Sequence, residues 1–143
     1  MGVPSKVRLA GISDAPLSVD KLVAAVTTPE VGGIGIFLGV VRSRDEGRAV
    51  DSLDYSDHPS ADAVLAQCAE RVAAQHDVIG VAVEHRVGHL EVGELAVVVV
   101  VGAAHRHAAL SACTQLIDEI KTSVPIWKEQ HFSSGASAWV GLP

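Results

Sequence analysis

Apolar and polar positions alternate with period two over Val7 to Ile12, which predicts a strand. Pro16-Leu17-Ser18 then opens a short amphipathic helix, with Ser18 suited to the N-cap and Leu22, Val23 and Val26 on one face. Thr27-Thr28-Pro29 ends it. Gly32 leads into an apolar strand that reaches Arg42, and Arg42 to Arg48 is a polar loop. Val50 to Tyr55 alternates again and is expected to pair back on the Gly32–Arg42 strand. A second helix is predicted from Pro59-Ser60-Ala61 to about His76, with Val64, Leu65, Cys68 and Val72 inward. Two β-branched, alternating strands follow, Val78 to Val87 and Leu95 to Val101, with Gly88 and Gly93 punctuating their connection. Helical spacing returns at Leu110, Cys113, Leu116, Ile117 and Ile120, inside a third helix over Ala104 to Lys121. Pro125 stops it, and strand-like Ile126 to Phe132 and Ala136 to Val140 close the chain.

The resulting order is β-α-β-β-α-β-β-α-β-β. Strands that follow one another in pairs exclude strict βαβ alternation, so the class is α+β, with a mixed or antiparallel sheet and about three helices. A length of 143 residues fits one domain over 1–143.

Composition narrows the function. The formal charge of −6 argues against general nucleic-acid binding, which needs clustered Lys and Arg to displace counterions. Two distant cysteines, Cys68 and Cys113, make neither a disulfide scaffold nor a paired-thiolate zinc site. Both fall on apolar helix faces, where a thiol is shielded rather than reactive. Met1 to Lys6 lacks the apolar core of a signal peptide, and Leu95 to Val101 is too short to cross a bilayer, so the expected compartment is the cytoplasm, with no membrane partner.

Gly32-Gly33-Ile34-Gly35 runs into a strand rather than opening a helix, so it does not read as a dinucleotide cradle. Glycines there suit a bend or a close backbone approach. The seven histidines lack a helical His-Glu-x-x-His pair, and no metal site is expected from their spacing.

The informative groups are the scarce cations. His105-Arg106-His107 sits at the start of the third helix, where positive side chains oppose the helix dipole. A bound anion would account for them, and so would an exposed fraying turn. Lys121 closes the same helix, where a cation is electrostatically favourable. Lys128 lies in the apolar segment Val124-Pro125-Ile126-Trp127-Lys128, and Arg42 ends the most apolar strand of the first half. If Arg42, His105, Arg106, Lys121 and Lys128 converge, they form a pocket for a small anionic ligand and lower the pKa of a lysine among them.

These segments resemble the large, catalytic subunit of molybdopterin synthase, the MoaE-type family. The matching pieces are Phe37-x-Gly39-x-x-Arg42, His85-Arg86-Val87-Gly88-x-Leu90-x-x-Gly93-Glu94, Ala104-His105-Arg106, and Lys121-Thr122-x-x-Pro125-Ile126-Trp127-Lys128. They stand in the family's order and spacing over about Val31 to Trp139. The resemblance implies an α/β hammerhead-type α+β domain and a homodimeric core. It also implies a small ubiquitin-like sulfur-carrier subunit ending in a Gly-Gly thiocarboxylate, two of which would complete a heterotetramer. The implied reaction is sulfur transfer to cyclic pyranopterin monophosphate, forming the dithiolene of molybdopterin in molybdenum cofactor biosynthesis, with no cofactor bound by the enzyme.

On that resemblance Lys121 and Lys128 are the catalytic residues, Lys121 first, beside the carrier's C-terminus. Arg42, His105 and Arg106 are placed to hold phosphate, and Val40, Val41, Glu129 and Gln130 are implied near the substrate. Two features depart from the family pattern: Glu129 directly follows the Trp-Lys pair, and Ala138 precedes Trp139 where an arginine can stand. Arg44 or Arg48 would then supplement the phosphate site. The alternative reading is a non-catalytic α+β sensor that grips a phosphorylated metabolite. A third is an inactive family member kept as a scaffold.

Overall fold

The computed structural model describes residues 5–141. The expectation about the chain's first residues, Met1 to Pro4, lies outside them. The elements are β1 (Val7–Ser13), α1 (Val19–Val26), β2 (Gly33–Val40), β3 (Arg44–Asp45), β4 (Arg48–Asp57) and α2 (Ala61–Gln75). They continue with β5 (Gly80–Arg86), β6 (Gly88–Glu91), β7 (Leu95–Ala103), α3 (Arg106–Ser123), β8 (Ile126–Phe132) and β9 (Ser137–Val140). The α+β class, the mixed and antiparallel strand pairing and the three helices follow the sequence reading. Ser18 caps α1 by accepting the Lys21 backbone N–H at 3.2 Å, as its position predicted.

One sheet has the order β1-β5-β7-β2, parallel between β1 and β5 and antiparallel elsewhere. Its central strand β7 is buried on both faces. Val97, Val99 and Val101 meet α2 and α3, while Val98 and Val100 meet α1. The alternation expected over Leu95 to Val101 is thereby corrected: a continuous β-branched run is what a strand covered on both sides requires, and each fully buried valine contributes about 1.5–3 kcal/mol.

A second sheet runs β3-β4-β8-β9, with β6 also paired to β4. Here the structure corrects the expected pairing: β4 does not lie on β2. Glu46 and Gly47 adopt positive φ (49° and 79°), so the chain reverses between β3 and β4 rather than at Arg42. β2 instead takes β7 as its apolar neighbour, and β4 becomes the middle of the second sheet. β6 stands where the sequence pattern predicts only a connection between two strands. It forms because Gly88 and Gly93, both at positive φ, turn the chain on either side of it.

Leu110 is a second correction. Placed inward by helical spacing, it is 55% exposed, and the buried stripe of α3 runs through Ala109, Ala112, Cys113 and Leu116 instead. α3 lies so close to β2 that a Cβ on Gly35 would sit 2.7 Å from the Ala109 carbonyl oxygen. The glycine-rich entry to β2 is therefore a close backbone approach, as read from the sequence. No helix among the described residues is long and apolar enough to cross a membrane.

Candidate active site

A cavity of about 500 Å³ opens where the two sheets meet the last turn of α3. β2 brings Val40 to it and Arg42 follows two residues on; α3 brings Lys121 and β8 brings Lys128. Each cation thus sits at or near the end of an element, held by a packed scaffold behind it. Lys128 is half-buried, and its ammonium is held below the ordinary lysine range. Loss of solvent is the main cause, followed by repulsion from Lys121 and Arg42, with Asp45 opposing. Arg42 is exposed and lies 3.5 Å from Asp45, a loose surface ion pair that leaves its guanidinium available.

The same cavity contains two residues that sequence reasoning passed over, Tyr55 and His85. Their rings meet edge to face with centroids 5.0 Å apart. His85 lies in a quoted motif, yet nothing in the spacing told it from an ordinary core residue. Its Nδ1 lies 2.7 Å from the Arg86 carbonyl oxygen, which can only accept, so Nδ1 carries the proton. Burial pushes the imidazole down to about 4, with Lys121 acting in the same direction and the Arg86 carbonyl and Asp57 opposing. The next residue, Arg86, turns away from the cavity to Glu94 at 3.5 Å. The His85–Glu94 motif therefore divides into one cavity residue and a structural tie.

Val41 and Gln130 line a smaller adjoining cavity of about 40 Å³, which also touches Val40, Arg42, Arg44 and Lys128. Gln130 is buried. Arg44 thus reaches the edge of the basic region, whereas the Arg48 guanidinium stacks over the Phe132 ring at 3.7 Å. Glu129 lies elsewhere. Side chains alternate across a strand, so with Lys128 toward the cavity Glu129 faces the other side of the second sheet. There it approaches His131 at 4.0 Å, and His131 pairs with Asp54 at 2.5 Å.

His105 and Arg106 stand exposed at the N-terminus of α3, outside both of these cavities. They lie beside the Gly33 end of β2, where a Cβ on Gly33 would sit 3.2 Å from the Arg106 Cα. The cavity lies at the opposite end of that strand.

Both cysteines are buried, and burial pushes the Cys113 thiol up to about 11. Neither lines the cavity.

Residues 12–123, which include Arg42, His85 and Lys121, match the family described as MoaE protein. The chain belongs to the MoaE family. It is 40% identical over 135 residues to the molybdopterin synthase catalytic subunit 1 of Mycobacterium tuberculosis, covering 91% of this chain and 88% of that one. It is 35% identical to the molybdopterin synthase catalytic subunit of a Nostoc species, over 92% and 81% of the two chains. Among solved structures, the molybdopterin synthase of Staphylococcus aureus superposes with a TM-score of 0.86 at 28% identity, over 92% of this chain and 96% of that one. The α+β architecture of this MoaE-family chain is thus that of its structural relative, and the basic cavity lies within the shared fold.

Proposed function

We propose that the chain is the catalytic subunit of a molybdopterin synthase, a sulfurtransferase acting in the cytoplasm as one domain over residues 1–143. The observation that carries the reading is the convergence of Arg42, Lys121 and Lys128 on one cavity in a MoaE-family chain. Three cations and no carboxylate line a space walled by Ile117, Val124 and Trp127, which suits a compact anionic ring compound. Cyclic pyranopterin monophosphate supplies one anion and the thiocarboxylate of a small carrier subunit ending in Gly-Gly supplies the other. Each transfer forms a carbon–sulfur bond on the pterin side chain in place of a carbon–oxygen bond: one breaks an ester C–O bond of the cyclic phosphate, which stays attached through its other ester, and the other releases the oxygen as water. Water then breaks the acyl–sulfur bond and leaves the carrier as a carboxylate.

In this scheme Arg42 holds phosphate, with Arg44 at the edge of the same basic region. Lys121 and Lys128 stabilise the charge that develops as sulfur adds, and one of them passes a proton to the leaving oxygen. The depressed ammonium of Lys128 favours that exchange near neutrality. The carrier supplies the sulfur. Cys113 stays protonated and buried, so it has no part in the transfer.

A second copy of the chain completes the site. β2 is an edge strand, and Ile34, Ile36 and Leu38 form an exposed apolar row on it. A two-fold axis near the middle of β2 sets the Gly33 end of one copy beside the Val40 end of the other. His105 and Arg106 of each protomer then face the cavity of its partner, where the guanidinium and the imidazole have a ligand to hold. Two carriers on this homodimer make a heterotetramer.

The test combines the protein with thiocarboxylated carrier and the pyranopterin precursor and measures dithiolene formation. Product, lost in Lys121→Ala while the fold persists, is the expected result. Tight binding of the pterin with no product, despite a competent carrier, would instead mark a non-catalytic sensor.

A further inference from the structure

Every charged side chain lining the main cavity is a cation, and cations only donate hydrogen bonds. The one side chain there that can only accept is His85. Its Nδ1–H is committed to the Arg86 carbonyl at 2.7 Å, the only hydrogen bond the ring makes among the described residues, so Nε2 has no protein partner there. The residue is 8% exposed and Nε2 is not among the fully buried unpartnered atoms, so the exposure that remains opens its lone pair to the cavity. The edge-to-face Tyr55 ring holds the imidazole plane, and β5 holds its backbone. A fixed tautomer, a fixed plane and an unused lone pair at a cavity wall make a preorganised acceptor.

From this we infer that His85 Nε2 reads a ring N–H of the bound pterin, making His85 a specificity-determining residue of the site. The inference rests on the proposed synthase reading for the class of ligand. A pterin carries lactam and amine N–H groups that arginine and lysine cannot satisfy, since they lack acceptors. His85 supplies what the three cations lack. The division of labour is then physical: the cations hold the phosphate, and His85 orients the ring. A buried site that accepts from a ligand N–H rejects analogues lacking it, because its own lone pair is then left unpaired. Thiocarboxylate has no such donor, so the carrier's affinity does not depend on this contact.

The experiment measures pterin binding by its fluorescence and turnover by dithiolene formation, in wild type, His85→Phe and His85→Gln. Phenylalanine keeps a planar ring beside Tyr55 but removes the acceptor, whereas glutamine restores an oxygen acceptor. The expected result for His85→Phe is a weakening of pterin binding by about tenfold with a matching rise in KM, which is the loss of one hydrogen bond to a neutral group. His85→Gln recovers most of that loss, and carrier affinity stays the same in all three. Unchanged pterin affinity in His85→Phe overturns the inference. So does equal impairment of both variants, which indicates packing alone. Failure of wild type to bind the pterin overturns it together with the synthase reading, while binding without turnover sinks only that reading.

Discussion

His85 makes the folded chain sensitive to acid, and the effect has a calculable size. An exposed imidazole in the unfolded chain titrates at 6.5, while in the fold it titrates at about 4. The unfolded state therefore takes up a proton that the folded state refuses. Stability from this residue is fully present above the unfolded value and is lost as the pH falls from 6.5 toward 4. Linkage puts the full loss at about 3 kcal/mol, of which about 2 kcal/mol is already gone at about pH 5. Groups around the ring are included in that balance: Lys121 adds to the depression, and Asp57 and the Arg86 carbonyl reduce it. Other groups also respond, since His89 beside Glu91 and Asp54 is held above its ordinary value and gains stability in acid. Comparing wild type with His85→Gln cancels those shared contributions. Denaturant unfolding of both proteins from about pH 7.5 to pH 5 should show wild type losing about 2 kcal/mol more than the variant. Parallel stability curves would refute the reasoning and mean that the imidazole is hydrated in the folded state.

Four further outcomes follow from the geometry. Lys121→Ala lowers kcat by about a hundredfold or more with its circular dichroism unchanged, the scale of a lost proton-transfer or charge-stabilising group. Cys113→Ser retains turnover yet loses about 1–3 kcal/mol in denaturant unfolding, because a buried hydroxyl replaces a thiol whose nearest acceptor is the Val99 carbonyl at 3.9 Å. Gly35→Ala presses a methyl against the Ala109 carbonyl at 2.7 Å and costs about 1–3 kcal/mol, read as a lowered melting temperature. Ile36→Glu charges the exposed row on β2, so light scattering should report a monomer and turnover should fall. Mixing Lys121→Ala with Arg106→Ala subunits should then restore some activity, since one mixed site keeps both groups; no recovery would mean that each protomer works alone.

The order of elements was readable from hydrophobic periodicity because the pattern is local. Ser18 as a cap, the inward row of α2 and the buried run of β7 all follow from residues a few positions apart. The scarcity of cations in a chain of charge −6 also singles out Arg42, Lys121 and Lys128 in the sequence alone. Strand pairing was not readable. The reversal at Glu46-Gly47 sends β4 to β8 rather than to β2, and one turn conformation decided which sheet it joined.

Face and distance were likewise tertiary matters. Lys128 and Glu129 are neighbours in the chain, yet the pleat sets them on opposite sides of a sheet, so only the lysine reaches the cavity. His105 and Arg106 carry a motif signal equal to that of Arg42, but they lie at the opposite end of β2 from the cavity of their own chain. His85 shows the converse. Its sequence context is that of a buried strand residue, and only the packing of Tyr55, the Arg86 carbonyl and the cavity wall leaves one nitrogen free. The amino-acid sequence by itself determined which segments form helices and strands and which charges needed explaining, because those properties depend on near neighbours. The tertiary structure alone decided which of those charges meet, because that depends on contacts between residues far apart in the chain.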